Sequence, residues 1–189
     1  MTDRFWTTPN QVTLLRLLFV PFILINVVDG NYDWALGLLV AAGLSDGLDG
    51  LLARVLHQKT LIGQYLDPIA DKLLLSSLFL TLSFVHEIPW RYTVLVFSRD
   101  LCILVVAAVL YSTAGLRDFA PSIFGKLNTF SQVAAVFFVM LLEVHSRPWV
   151  AFGRKAFLYS TFVFTLASGI HYVFLTGQRL RSAEQKRSA

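Results

Sequence analysis

The chain has 189 residues, of which 56% are hydrophobic and 15% charged, with a mean hydropathy of +0.62. Soluble domains carry roughly 25% charged residues, so an ordinary soluble fold is not the expectation. The net charge of +4 and the pI near 9.4 do not point to nucleic acid, because the basic residues are spread over segment ends with no soluble domain to present a basic face. Cys102 stands alone in an apolar run, which excludes a disulfide framework and a thiolate metal site and suggests a small buried residue.

Taken in chain order, Met1–Gln11 lacks the small-residue cleavage pattern of a signal peptide, and the first apolar run is expected to remain as a membrane helix. Six apolar stretches follow, near Val12–Val28, Trp34–Leu56, Lys72–Val85, Tyr92–Tyr111, Thr129–Val144 and Ala156–Thr176. Several are no longer than the roughly 17–25 residues of a membrane span. The third is short unless its helix begins earlier, near Asp67. The expectation is an all-α, polytopic membrane protein, a six-transmembrane-helix bundle forming one domain over 1–189, with a polar cytoplasmic tail over 179–189.

Turn signals separate the runs at Asp29-Gly30-Asn31, Ile88-Pro89-Trp90 and Arg147-Pro148-Trp149. Trp34, Trp90 and Trp149 fall at the borders of one side, where an amphipathic ring is favoured. The side holding both termini carries Arg4, Arg54, Lys59, Lys72, Arg117, Lys126, Arg179, Arg181, Lys186 and Arg187; the other carries Arg91, Arg147, Arg154 and Lys155. That bias places the first side in the cytoplasm, although the connection from Glu143 to Lys155 runs against it. His57, His86, His145 and His171 are scattered and read as surface or packing residues; Glu87 and Glu143 read as charges of the outer border.

The chemistry concentrates between Ser45 and Lys72. Asp46 and Asp49 are three residues apart at the end of one apolar run, and Asp67 and Asp71 four apart at the start of the next. Either spacing puts a pair on one helical face, and a short connection lets the faces meet. An intramembrane carboxylate costs about 2.5–3.5 kcal/mol on insertion scales, so such a cluster needs positive charge to offset it. Oxygen ligands without cysteine or paired histidine favour Mg²⁺ or Mn²⁺ over zinc, and two such ions suit phosphoryl chemistry. Gly43, Gly47, Gly50, Ala53 and Gly63 keep the neighbourhood small enough for a ligand or backbone to approach. Arg54 can pair with a phosphate. Small residues at such spacing also serve tight helix packing, and that reading stands beside the functional one.

The pattern formed by Asp46, Asp49, Gly50, Ala53, Arg54, Gly63, Asp67 and Asp71, D-x2-D-G-x2-A-R-x8-G-x3-D-x3-D, resembles the signature of the CDP-alcohol phosphotransferases. The resemblance extends to chain length and to the six expected helices. It implies an enzyme in which Asp46, Asp49, Asp67 and Asp71 surround two divalent ions that grip the diphosphate of a CDP-activated lipid. It implies further that Asp71 takes the proton from the acceptor hydroxyl, that Gly50, Ala53 and Gly63 line the cytidine and diphosphate pocket, and that Arg54 holds a phosphate. CMP leaves as the acceptor oxygen attacks phosphorus. The partners implied are CDP-diacylglycerol, a small alcohol, the lipid bilayer and a second copy of the chain in a homodimer.

Within that family, Pro9–Arg16, Asp67–Lys72 and Gly125–Thr129 look like phosphatidylglycerophosphate synthases, whose acceptor is glycerol 3-phosphate. Arg99 and Lys126 are then the candidate ligands of the acceptor phosphate, with Arg16 behind them. Arg99 beside Asp100 reads equally as an internal ion pair. Asp100 stands where those enzymes usually have glutamate, and with Lys126-Leu127-Asn128-Thr129 it looks similar to cardiolipin synthases of eukaryotic type, which accept phosphatidylglycerol. A reading of another class, a small transporter with intramembrane aspartates, lacks the paired repeats such proteins often show. The membrane implied is the bacterial inner membrane, with the site on its cytoplasmic face.

Overall fold

The computed structural model describes residues 8–55, 61–114 and 123–188, with side chains described over 14–45, 70–105 and 123–171. The described residues form α1 (Thr8–Val28), α2 (Tyr32–Val55), α3 (Leu61–Phe84), α4 (Trp90–Ala114), α5 (Ile123–Val144) and α6 (Pro148–Ser188), with no strand. The all-α expectation and the helix count agree with the structure. The helices outrun the apolar stretches: α3 begins at Leu61 and α6 at Pro148. Polar residues interrupt the hydropathy of these segments without interrupting helix propensity, and proline is favoured in a first turn. For the same reason α6 continues through the basic tail to Ser188.

The helix ends follow from local chemistry. At the end of α1 the Asn31 N–H donates to the Asn26 carbonyl at 2.8 Å and Gly30 N–H to the Val27 carbonyl at 3.2 Å, with Gly30 at φ +75°. This is the glycine-terminated cap that satisfies the last carbonyls of a helix. The end of α3 has the same pattern, Glu87 to Leu82 at 2.8 Å and His86 to Ser83 at 3.2 Å, but His86 holds the left-handed position at φ 67°. Trp34, Trp90 and Trp149 lie in the first turns of α2, α4 and α6 and are exposed.

The chain divides into two compact units, one of residues 1–88 and 136–151, the other of 89–135 and 152–189. In the first, α1 packs against α2 and α3. Among the described side chains, Arg16, Ile23 and Val27 are the buried positions of α1, and Ala35 and Ala42 those of α2. On α3 the buried stripe runs Ala70, Leu74, Leu78 and Leu82 at four-residue steps, with Phe79 beside it. That spacing keeps one face of the helix against its neighbours.

In the second unit, α5 and α6 meet through Phe124 and His171, Asn128 and Thr165, then Phe130 and Phe157. One index rises as the other falls, so the two helices run antiparallel. Among the described residues, α5 is the one helix both long and apolar enough to cross a membrane, and Leu14–Val28 and Tyr32–Ser45 are shorter apolar helices. Large apolar side chains nonetheless face outward throughout, among them Leu18, Phe84, Leu101, Phe152 and Ile170.

Phe79 is fully buried and its neighbour Leu80 half-exposed. Phe79→Ala should cost about 3–5 kcal/mol through lost burial and the cavity left behind, whereas Leu80→Ala should cost well under half of that. Thermal unfolding of the detergent-solubilised protein checks the difference.

Candidate functional site

Asp46, Asp49, Gly50, Ala53 and Arg54 lie in the last three turns of α2, and Gly63, Asp67 and Asp71 in the first three turns of α3. Asp67 and Asp71 therefore sit within α3 rather than at its start. The side chains of all these residues except Asp71 lie outside the described ones, as does His57. A Cβ built on Gly43, one turn before Asp46, meets nothing within 4 Å. Packing does not demand a glycine there, so the tight-packing reading has no support at that position.

Asp71, the member of the set whose side chain is described, is anchored. Its carboxylate accepts a hydrogen bond from Nη1 of Arg16 and forms an ion pair with it. The Arg16 side chain is 2% exposed and that of Asp71 49% exposed. The buried face of α1 carries the arginine inward, and α3 presents Asp71 next to buried Ala70. One end of the pair is dry and the other opens outward. Arg16 orients the carboxylate while leaving it reachable. The sequence reading placed Arg16 among lesser ligands of the acceptor; the structure places it on the residue expected to act as base.

Arg99 has a different setting. Its Nη1 donates to Asp100 Oδ1 at 2.7 Å, and its Nε and Nη2 donate to the Ser168 hydroxyl at 3.2 and 2.7 Å. The ion pair weighed in the sequence is present, with side-chain exposures of 13% and 14%. Arg99 also lines an open groove of about 510 Å³, together with Leu95, Ser98, Cys102, Thr165 and Leu166. Cys102 is exposed on this groove, which corrects the expectation of a buried cysteine: at its position α4 turns outward. Lys126 is exposed near the start of α5.

Hydropathy also hid a buried polar set. Asn128, Ser131 and Gln132 on α5 and Thr161, Thr165 and Ser168 on α6 are all at most 5% exposed. Their periodic spacing on each helix was the available signal.

A profile of the CDP-alcohol phosphatidyltransferase family matches residues 6–170. The chain belongs to that family. It is 34% identical over 174 residues to a probable phosphatidylglycerophosphate synthase of Mycobacterium tuberculosis, covering 87% of this chain and 78% of that one. It is 33% identical over 156 residues to a cardiolipin synthase (CMP-forming) of Streptomyces coelicolor, covering 79% and 71%. The human cardiolipin synthase (CMP-forming) is 37% identical over 107 residues, 56% of this chain but 35% of the human protein's length.

CDP-alcohol phosphatidyltransferases are membrane proteins that use a CDP-alcohol donor, an alcohol acceptor and, in general, divalent metals. Among the described residues no three potential metal ligands come together; Asp71 is the one member of the aspartate set whose side chain is described. Its half-exposed carboxylate, an oxygen donor on the motif helix, fits a hard divalent cation.

Arg16→Met keeps bulk but removes the cation. With a charged hydrogen bond contributing roughly 1.5–3 kcal/mol, turnover measured as CMP release should fall about tenfold to a hundredfold. Arg16→Lys should recover part of it, and circular dichroism should show the helices intact in both.

Proposed function

We propose that this chain is a membrane enzyme that transfers a phosphatidyl group from CDP-diacylglycerol to glycerol 3-phosphate, giving phosphatidylglycerophosphate and CMP. The observation that carries the reading is Asp71, held on α3 by buried Arg16 yet half open, as the last member of an eight-position motif in a chain of this family. Outward-facing leucine, phenylalanine and isoleucine side chains on the helices support a lipid surround. The bias of lysine and arginine supports a site on the cytoplasmic face of a bacterial inner membrane, and the family resemblance supports a homodimer.

In this reading Asp46, Asp49, Asp67 and Asp71 hold two Mg²⁺ or Mn²⁺ ions, which when bound neutralise the diphosphate and the charge that builds on it. Gly50, Ala53 and Gly63 leave room for cytidine and diphosphate, and Arg54 binds a phosphate oxygen. Asp71 receives the proton of the acceptor hydroxyl. The proton passes as the attacking oxygen bonds to phosphorus and the hydroxyl becomes acidic. Arg99 and Lys126 are assigned to the acceptor phosphate. Catalysis rests on positioning and charge.

A second acceptor, phosphatidylglycerol, is favoured by one observation: Arg99 borders a groove open to the surface with mostly apolar walls, suited to a lipid. The names of the Streptomyces and human relatives point the same way.

Detergent-solubilised protein should release CMP from CDP-diacylglycerol only with Mg²⁺ or Mn²⁺ and an acceptor, and chelation should abolish release. A panel of glycerol 3-phosphate, phosphatidylglycerol, inositol phosphate and serine identifies the acceptor. Asp71→Asn should lower turnover by at least about a thousandfold; near-normal turnover contradicts its role. Ion flux without CMP release favours a transporter instead.

A further inference from the structure

Buried polar atoms in an apolar helix bundle are expected to find partners, because each one left unpaired costs about 1–3 kcal/mol. The seam between α5 and α6 departs from this rule at His171, whose Nδ1 is buried without a partner beside Phe124, and more extensively around Asn128. Thr165 Oγ1 donates to Asn128 Oδ1 at 2.8 Å, which uses the amide oxygen and leaves Nδ2 without a partner. One turn further along each antiparallel helix, Gln132 and Thr161 come to the same level. Nε2 of Gln132 and Oγ1 of Thr161 are also buried and without partners. The three residues are 0%, 5% and 1% exposed.

One turn the other way along α6, the Ser168 hydroxyl accepts both Nε and Nη2 of Arg99. With Nη1 donating to Asp100, three of the five N–H bonds of a guanidinium are used and two remain. The column thus carries a cation with spare donors at one end and two amides with spare donors beyond it, with a hydroxyl opposite. The groove of about 510 Å³ reaches one end of the column, where Arg99 and Thr165 line it; Asn128, Gln132 and Thr161 are not among its lining residues.

We infer that this polar column is a binding site for a glycerol phosphate group, whose phosphate meets Arg99 and whose hydroxyls meet Asn128, Gln132 and Thr161. Ser168 acts as a positioning residue that aims the guanidinium. The inference deepens the proposed transfer reaction and rests on it for the ligand's role as acceptor. Free glycerol 3-phosphate and the headgroup of phosphatidylglycerol share this chemistry.

Gln132→Leu and Thr161→Val remove the unpaired atoms at nearly constant volume. A purely structural seam would be left as stable or more stable, with kinetics unchanged. The site predicts an unchanged or raised Tm, an acceptor KM raised roughly tenfold or more and an unaltered KM for CDP-diacylglycerol. Running both acceptors separates the free phosphate from the lipid headgroup. Ser168→Ala should raise acceptor KM with little change in kcat, and Ser168→Thr should restore it. Thermal protection of the wild-type protein by glycerol 3-phosphate, or by phosphatidylglycerol in mixed micelles, reads binding without turnover. Protection that is lost in Gln132→Leu supports the site even if no CMP is released, an outcome that would reject the transfer reaction alone. Absence of protection by both probes, or unchanged acceptor KM in both variants, overturns the site.

Discussion

A carboxylate carried into a helix bundle costs several kcal/mol unless a positive group faces it, and Asp71 meets that condition through Arg16. The pairing explains features that otherwise look unrelated. It accounts for an arginine at 2% exposure on the packed face of α1, next to the α1–α3 contact. It gives the motif's last aspartate a cationic partner across 55 positions of chain. It also fixes the orientation of one carboxylate from outside the motif.

Among the described side chains, the two arginines that lie inside the apolar runs, Arg16 and Arg99, receive different kinds of partner. Arg16 faces a half-exposed carboxylate of the motif. Arg99 is held by its neighbour Asp100 and by Ser168, 69 positions away on α6. The remaining lysines and arginines sit at segment ends or in connections, where charge is readily borne at a membrane border. Each buried cation thus has its charge matched within the fold, Arg16 on α1 by a motif carboxylate of α3 and Arg99 on α4 beside the α5–α6 column.

Much of the architecture was legible from apolar periodicity and turn chemistry. Gly30, Pro89 and Pro148 fall at or beside helix boundaries, as their backbone restrictions require. Hydropathy misjudged where α3 and α6 begin, because a helix tolerates polar residues that an apolar window rejects. The motif itself was legible because its residue types and spacing are fixed. The partner of Arg16 was not, since a contact across 55 positions depends on how α1 packs on α3. Cys102 misled because its neighbours are apolar, yet the face of α4 that it occupies is exposed. The buried set around Asn128 and Thr165 escaped notice because serine, threonine and single amides barely perturb hydropathy.

The central claim is that the aspartates of α2 and α3 share metal ions with the carboxylate that Arg16 holds. Anomalous diffraction from crystals grown with Mn²⁺ and a CDP-lipid tests it most directly. Two peaks within coordination distance of Asp46, Asp49, Asp67 and Asp71, and none at Arg99, are the expected result. A map without peaks there, with the four side chains directed apart, would contradict the account.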